Sequence, residues 1–246
     1  MSRAIGRRRW AVALIAIGLT ACGSEDDRGA PKATVSRGAQ HEARVLSQQQ
    51  LEDAVVDAHD LPGVQVDEIG AGTDGLGDGV IRAARRTDTA PAVCAPVSAA
   101  VDGASGYTPV GSVQRVAGTT GLPALLTLVS YRSANVSRVM QELRAGLKSC
   151  KGYEVGEGAM KVTYDDVAST AVPSQGDEGV AFRLKWVVEP GEDGLTSPIS
   201  VAVIRHGSTL AIYKAVSHRS GAAASIPRDL VSAQSHVLDA AVQPTA

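Results

Sequence analysis

Aromatic side chains are scarce in this 246-residue chain: one Phe, two Trp and five Tyr make up 3% of it. So few rings exclude recognition of bases or sugars by rows of stacking platforms. Basic charge is not in excess either, with 24 Lys and Arg against 26 Asp and Glu, which argues against nucleic acid as a partner. Three cysteines are too few for a disulfide-dense miniprotein. No apolar run reaches the roughly 18 residues that a helix needs to cross a bilayer. What the chain does have is 44% hydrophobic residues, mostly aliphatic, and enough length for one large domain or two small ones.

The first informative stretch is the N-terminus, where Arg3, Arg7, Arg8 and Arg9 precede the uncharged apolar segment Trp10 to Leu19. A positive region followed by a short apolar one is the pattern of an export signal, which residues 1–21 are expected to form. Arg7-Arg8-Arg9 is compatible with general or twin-arginine export. The next residues, Leu19-Thr20-Ala21-Cys22, resemble the lipobox of bacterial lipoproteins at all four positions. That resemblance makes Cys22 the lipidated first residue of the mature chain, since a thiol is partly thiolate near neutral pH and open to alkylation by a lipid donor. The alternative is ordinary cleavage near Ala21, which would leave Cys22 a free thiol. Polar, small residues follow, and residues 22–46 are expected to be a tether reaching on the order of 25–30 Å. Loss of residues 1–21 leaves 20 basic and 26 acidic side chains, a net of −6. The expected product is an acidic ectodomain on the extracytoplasmic face of the cell membrane, held by lipid on Cys22.

From Ser47 the pattern becomes regular. Ser47 and Gln50 stand at capping-box spacing, with Leu51, Ala54, Val55 and Ala58 on one helical stripe that Leu61-Pro62-Gly63 ends. Val64 and Val66 suggest a short strand, and a weaker helix over Ala92 to Val101 carries Cys94. Val110 to Val116 and Leu125 to Tyr131 flank Gly118-Thr119-Thr120-Gly121 and read as an antiparallel pair. The clearest helix runs from Ala134 to Cys150, where Val136, Val139, Met140, Leu143, Leu147 and Cys150 share a stripe and Gly152 stands at the position of a C-terminal cap. Strands resume with Met160, Val162 and Tyr164, and then with Val180, Phe182, Leu184, Trp186 and Val188 alternating against Arg183 and Lys185. Ile199 to Ile204 and Leu210 to Val216 bracket a tight turn at His206-Gly207, and a helix opening near Pro227 closes the chain. Helices and strands in blocks, without βαβ alternation, predict a single α+β domain over 47–246: a central antiparallel sheet packed against one helical layer.

With Cys22 assigned to lipid, Cys94 and Cys150 remain, both on predicted helices of an exported chain, and they are expected to pair. The alternative is two buried free thiols. The segments Val93-Cys94-Ala95-Pro96, Val129-Ser130-Tyr131 and Leu147-Lys148-Ser149-Cys150-Lys151-Gly152 resemble the extracellular sensor domain of PknH-type actinobacterial receptor kinases and its stand-alone lipoprotein relatives. The resemblance covers residues 47–242 in the order and spacing of elements. It implies a mixed α/β domain with a central antiparallel sheet, a cleft for an unidentified ligand, and no catalytic activity. The chain departs from that family in having cysteines for one disulfide, not two, and it has no kinase domain or membrane helix, so a signal would pass through a partner. Its Ala, Gly and Val richness fits a high-GC bacterium such as an actinobacterium.

Motifs that carry chemistry are few. Gly70-Ala71-Gly72-Thr73-Asp74-Gly75 fits G-x-G-x-x-G, but no helix pattern follows to offer its N-terminus to a pyrophosphate. Asp74, Asp78 and Gly79 imitate the start of a calcium loop, yet Leu76 and Arg85 occupy positions that need oxygen ligands. Asp53, Asp57 and Asp60 would share a helical face near His59, which reads as a solvated acidic face before a metal site. His41, His206, His218 and His236 show no ligand spacing, so no metal or cofactor is expected. A nucleophile motif such as G-x-S-x-G is missing, and Asp165-Asp166, adjacent on a strand, would face opposite ways and read as a strand-end turn.

Trp186, Tyr131, Tyr164 and Tyr213 hold most of the large aromatic surface and are the candidate ligand-binding residues if a cleft exists. The chain is thus expected to be a non-catalytic sensor-like lipoprotein binding a small molecule or an envelope protein. Second to it stands a structural or chaperone-like lipoprotein acting through surface contacts, and third an envelope hydrolase whose site is dispersed along the chain.

Overall fold

The computed structural model describes residues 44–69, 89–118, 123–156, 161–188, 194–217 and 222–243. All of them fall in one compact unit. The export signal, Cys22 and the tether up to residue 43, and the glycine-rich and calcium-like motifs of 70–79, lie outside the described residues.

Helix α1 (Gln48–Asp53) opens on the expected capping box: Ser47 Oγ accepts from the Gln50 amide at 3.3 Å, and Gln50 Oε1 accepts from the Ser47 amide at 3.0 Å. It stops after six residues instead of continuing to Leu61. Two competitors take over the backbone. Asp57 Oδ1 accepts from the amides of His59 and Asp60 at 2.7 and 3.3 Å, a local turn that excludes helix. Gln234, fully buried on the last helix, then clamps the segment from outside, accepting from the Val56 amide at 3.0 Å and donating to the Ala54 carbonyl at 2.8 Å. Asp53, Asp57 and Asp60 therefore do not share a helical face, and the acidic stripe read from the sequence does not form.

The eight strands are β1 (Gln65–Glu68), β2 (Gly111–Gly118), β3 (Ala124–Ser130), β4 (Tyr153–Val155), β5 (Val162–Ser169), β6 (Glu178–Val187), β7 (Thr196–His206) and β8 (Thr209–Val216). They form one antiparallel sheet in the order β1-β2-β3-β8-β7-β6-β5-β4. The other helices are α2 (Ala95–Val101), preceded by one turn of 3-10 helix at Ala92–Cys94, α3 (Ser133–Ser149) and α4 (Arg228–Ala241). The domain is α+β, as expected, but the single helical layer is a misreading. Helices α2 and α3 cover one face of the sheet, and α1 and α4 cover the other. Strand β3 shows why: Leu126 and Leu128 point to the α1/α4 side while Val129 points to the α2/α3 side, so this central strand is apolar in both directions. Strand β8 does the same, with Leu210 and Ile212 on one face and Ala211 and Tyr213 on the other.

Three local features differ from the sequence reading. The β7–β8 turn is Gly207-Ser208, one residue later than expected, because His206 already pairs with Thr209; Gly207 takes φ 60°, which a primed two-residue turn requires. Gly152 does not cap α3, which ends at Cys150. Gly152 is small because a Cβ there would lie 2.8 Å from Asp165 Oδ1 and 2.9 Å from the Tyr164 carbonyl oxygen. Asp165-Asp166 is not a strand-end turn but a β-bulge within β5, with Asp166 at φ 60° and its carboxylate 3.1 Å from the Lys185 ammonium.

Cys94 and Cys150 are joined in a disulfide, both wholly buried, so the 3-10 turn ahead of α2 is tied to the end of α3 across 56 residues. Helix α3 meets the 3-10 turn and α2 closely at Gly146, where a Cβ would lie 3.2 Å from the Val93 carbonyl oxygen and 3.4 Å from Val97 Cγ2. Closing so long a loop removes roughly 4 kcal/mol of unfolded-state entropy in the chain-entropy model. The double variant Cys94→Ser, Cys150→Ser is expected to lose about 2–4 kcal/mol of stability, read as a lower midpoint of urea unfolding.

A charge cluster pins α3 to the sheet. Glu178 on β6 pairs with Arg144 of α3 and, at 2.6 Å, with Arg205 of β7. Burial alone would raise the Glu178 pKa, but the hydrogen bonds and charges of the two arginines outweigh it and hold the carboxyl below its ordinary value of 4.5. A depressed carboxyl contributes stability that is complete above the unfolded value and is lost as pH falls through the folded one. Glu178→Gln should therefore flatten the acid limb of a stability–pH curve below about pH 5, measured by urea unfolding at several pH values.

Candidate ligand groove

Helix α2 ends in a Schellman motif: the Ala104 amide bonds the Ala99 carbonyl at 2.8 Å, the Gly103 amide bonds the Ala100 carbonyl at 3.1 Å, and Gly103 takes φ 71°. Gly103 also lies against β3, where a Cβ would be 2.8 Å from Thr127 Oγ1. The helix thus finishes over the middle of the sheet. Beyond its end a hollow of about 350 Å³ opens on the α2/α3 face, crossing from β2 to β5. That volume is at the small end of the range for ligand sites.

The strand register sets what lines it. Val116 of β2 faces Leu125 of β3, which faces Lys214 of β8, and Val216 faces Ile199 of β7. Further along, Trp186 of β6 pairs with Tyr164 of β5, and Tyr164 pairs with Tyr153 of β4, their rings stacked 4.9 Å apart. Along β6 the side chains on this face are Val180, Phe182, Leu184 and Trp186, exposed by 6, 0, 1 and 39%. The tryptophan is left open because the helices no longer cover the strand at that point. The hollow therefore presents a large, partly exposed ring beside an apolar floor.

Lys214 is the one charged side chain among the lining residues described. Burial pulls its pKa down, and Asp102, in the C-cap position of α2, partly offsets this. Asp102 keeps solvent on one side, yet the protein packed around it raises its pKa, with the Lys214 charge acting the other way. Tyr164 is raised by burial and then by the Asp102 charge. Tyr153, whose hydroxyl is buried beside Ser98, is raised by burial, by Tyr164 and by Asp102.

Of the four aromatic residues singled out from the sequence, Trp186 and Tyr164 meet in this groove. Tyr131 and Tyr213 do not. Tyr131 is 1% exposed at the far end of β3, six residues or about 20 Å along the strand from Leu125, under the helices. Tyr213 is fully buried on the α1/α4 face, because on β8 it alternates with Lys214 and Val216. Lys214 and Asp102 were missed. The available signal was a lone charge in the otherwise apolar run Leu210 to Val216.

His206 is buried, with Nδ1 2.7 Å from Asp239 Oδ1 of α4, where it joins strand to helix. His59 and His236 are exposed, and His41 and His218 lie outside the described residues. Among the described residues no three His, Cys, Asp or Glu side chains come together as a metal site, and no helix is long and apolar enough to cross a membrane. A second hollow of about 430 Å³ on the α1/α4 face is walled by Asp166, Arg183, Lys185 and Ser200. There Lys185 is already paired with Asp166, and no exposed ring is present among the lining residues described.

No family model and no curated protein matches the chain. Among solved structures it is similar to the extracellular domain of PknH from Mycobacterium tuberculosis, with 11% identity and a TM-score of 0.49 over 80% of this chain and 97% of that one.

The end of α2 defines the mouth of the groove, so Gly103→Ala tests the construction. A Cβ at a positive φ and against Thr127 is expected to cost about 1–3 kcal/mol and to shift the emission of Trp186, both measurable in one urea titration followed by fluorescence.

Proposed function

We propose that the protein is a lipid-anchored, non-catalytic ectodomain on the extracytoplasmic face of the cell membrane that binds a ligand in the groove beside α2. The observation that carries this reading is the open Trp186 ring, set with Tyr164 and Lys214 over an apolar floor. The groove has the composition of a binding site, mostly apolar with one placed charge. Its ionisable neighbours, Lys214, Asp102 and Tyr164, serve to hold and orient a ligand rather than to attack one.

The anchoring part rests on the sequence. The signal over residues 1–21 is removed, Cys22 is acylated, and residues 22–46 hold the domain off the bilayer. The disulfide supports an oxidising compartment. Mass spectrometry of the protein taken from its own membranes should find Cys22 as an acylated N-terminus, and Cys22→Ser should remove that modification; an unmodified Cys22 would end the anchoring claim. Native mass spectrometry of the same protein should show a reproducible added mass that Trp186→Ala abolishes. A bare domain, or an adduct indifferent to Trp186, would refute the groove as a ligand site.

A further inference from the structure

Among its described lining residues the groove has one charge, and the position of that charge constrains what fits. Lys214 rises from the central strand β8 opposite Leu125 of β3 on one side and Val201 of β7 on the other, with the Val216–Ile199 pair next along the same face. Ammonium groups elsewhere on the sheet are neutralised at contact distance: Lys161 lies 2.9 Å from Glu154 and Lys185 lies 3.1 Å from Asp166. Among the described residues no carboxylate lies at contact distance from Lys214; it feels the longer-range field of Asp102, which sits at the helix end and is not among the groove's described lining residues. An ammonium held in apolar surroundings gains most from an anion that arrives with an apolar body and displaces water from the same floor.

We infer that the groove takes a single-chain amphiphile with one anionic headgroup, the headgroup on Lys214 and the apolar body laid along the floor from Leu125 and Val216 to Trp186 and Tyr164. This rests on the groove being a ligand site and adds the class of ligand. The aromatic end closes the floor, with Trp186 free to cover the tail because its ring is not packed under a helix. A cationic amphiphile would face Lys214 directly and be rejected; a neutral one would leave the ammonium dry and unpaired.

The test uses the full chain carrying Trp10→Phe, so that Trp186 is its only tryptophan. Decanoate, decanol and decylamine, each below its aggregation concentration, share a tail and differ in headgroup charge. Decanoate is expected to shift the Trp186 emission to the blue and to bind at least about tenfold more tightly than decanol, with decylamine weakest. Lys214→Met should weaken decanoate to the level of decanol, and Lys214→Arg should keep the preference. Equal binding of decanoate and decanol would overturn the anionic assignment while leaving the groove as a ligand site. A Trp186 that responds to none of the three would overturn both. Should Lys214→Met not fold, the order of the three probes on the unaltered lysine decides the matter alone.

Discussion

Helix α2 is held at both ends, and the site depends on that double restraint. At its start the Cys94–Cys150 disulfide ties it to the end of α3; at its finish the Schellman turn drives Gly103 onto Thr127. Between those points the helix has seven residues, about 10 Å of rise, while the strands beneath run well past it. The uncovered strand ends become the groove.

The sheet is able to serve as a floor because it is supported from behind. Helices α1 and α4 fill the opposite face with Leu51, Leu230 and Leu238 against Leu126, Ile204 and Tyr213. Gln234 binds the two helical segments together by taking over backbone groups that the short α1 leaves unpaired. On the groove side the cluster of Glu178 with Arg144 and Arg205 holds α3 against β6 and β7. The floor of the groove is thus built on strands rather than on loops, with the geometry set by hydrogen-bonded register.

Much of the fold was legible in the sequence because it is written in local periodicity. The stripe Val136, Val139, Met140, Leu143 and Leu147 places α3 to within a residue, and the alternation of Val180, Phe182 and Leu184 against Arg183 and Lys185 places β6. The capping box at Ser47 and Gln50 is where it was expected. Periodicity failed where a distant residue decides the backbone: α1 ends early because Asp57 and Gln234 offer better partners, and Gly152 is small because β5 passes close by. The second helical layer was written in β3, where Leu126 and Leu128 face one way and Val129 the other, since a strand apolar on both faces is buried on both.

The candidate site divides along the same line. That Trp186 and Tyr164 are rare large rings on strands of alternating pattern is a property of the sequence alone, as are the run Leu19 to Cys22 that resembles a lipobox and the two remaining cysteines. That Trp186 is open while Tyr131 and Tyr213 are buried was decided by the tertiary structure. Strand parity puts Tyr213 on one face and Lys214 on the other, but only the packing of helices shows which end of each face stays uncovered. Side-chain direction is local, set residue by residue along a strand, whereas exposure is the sum of everything packed above it.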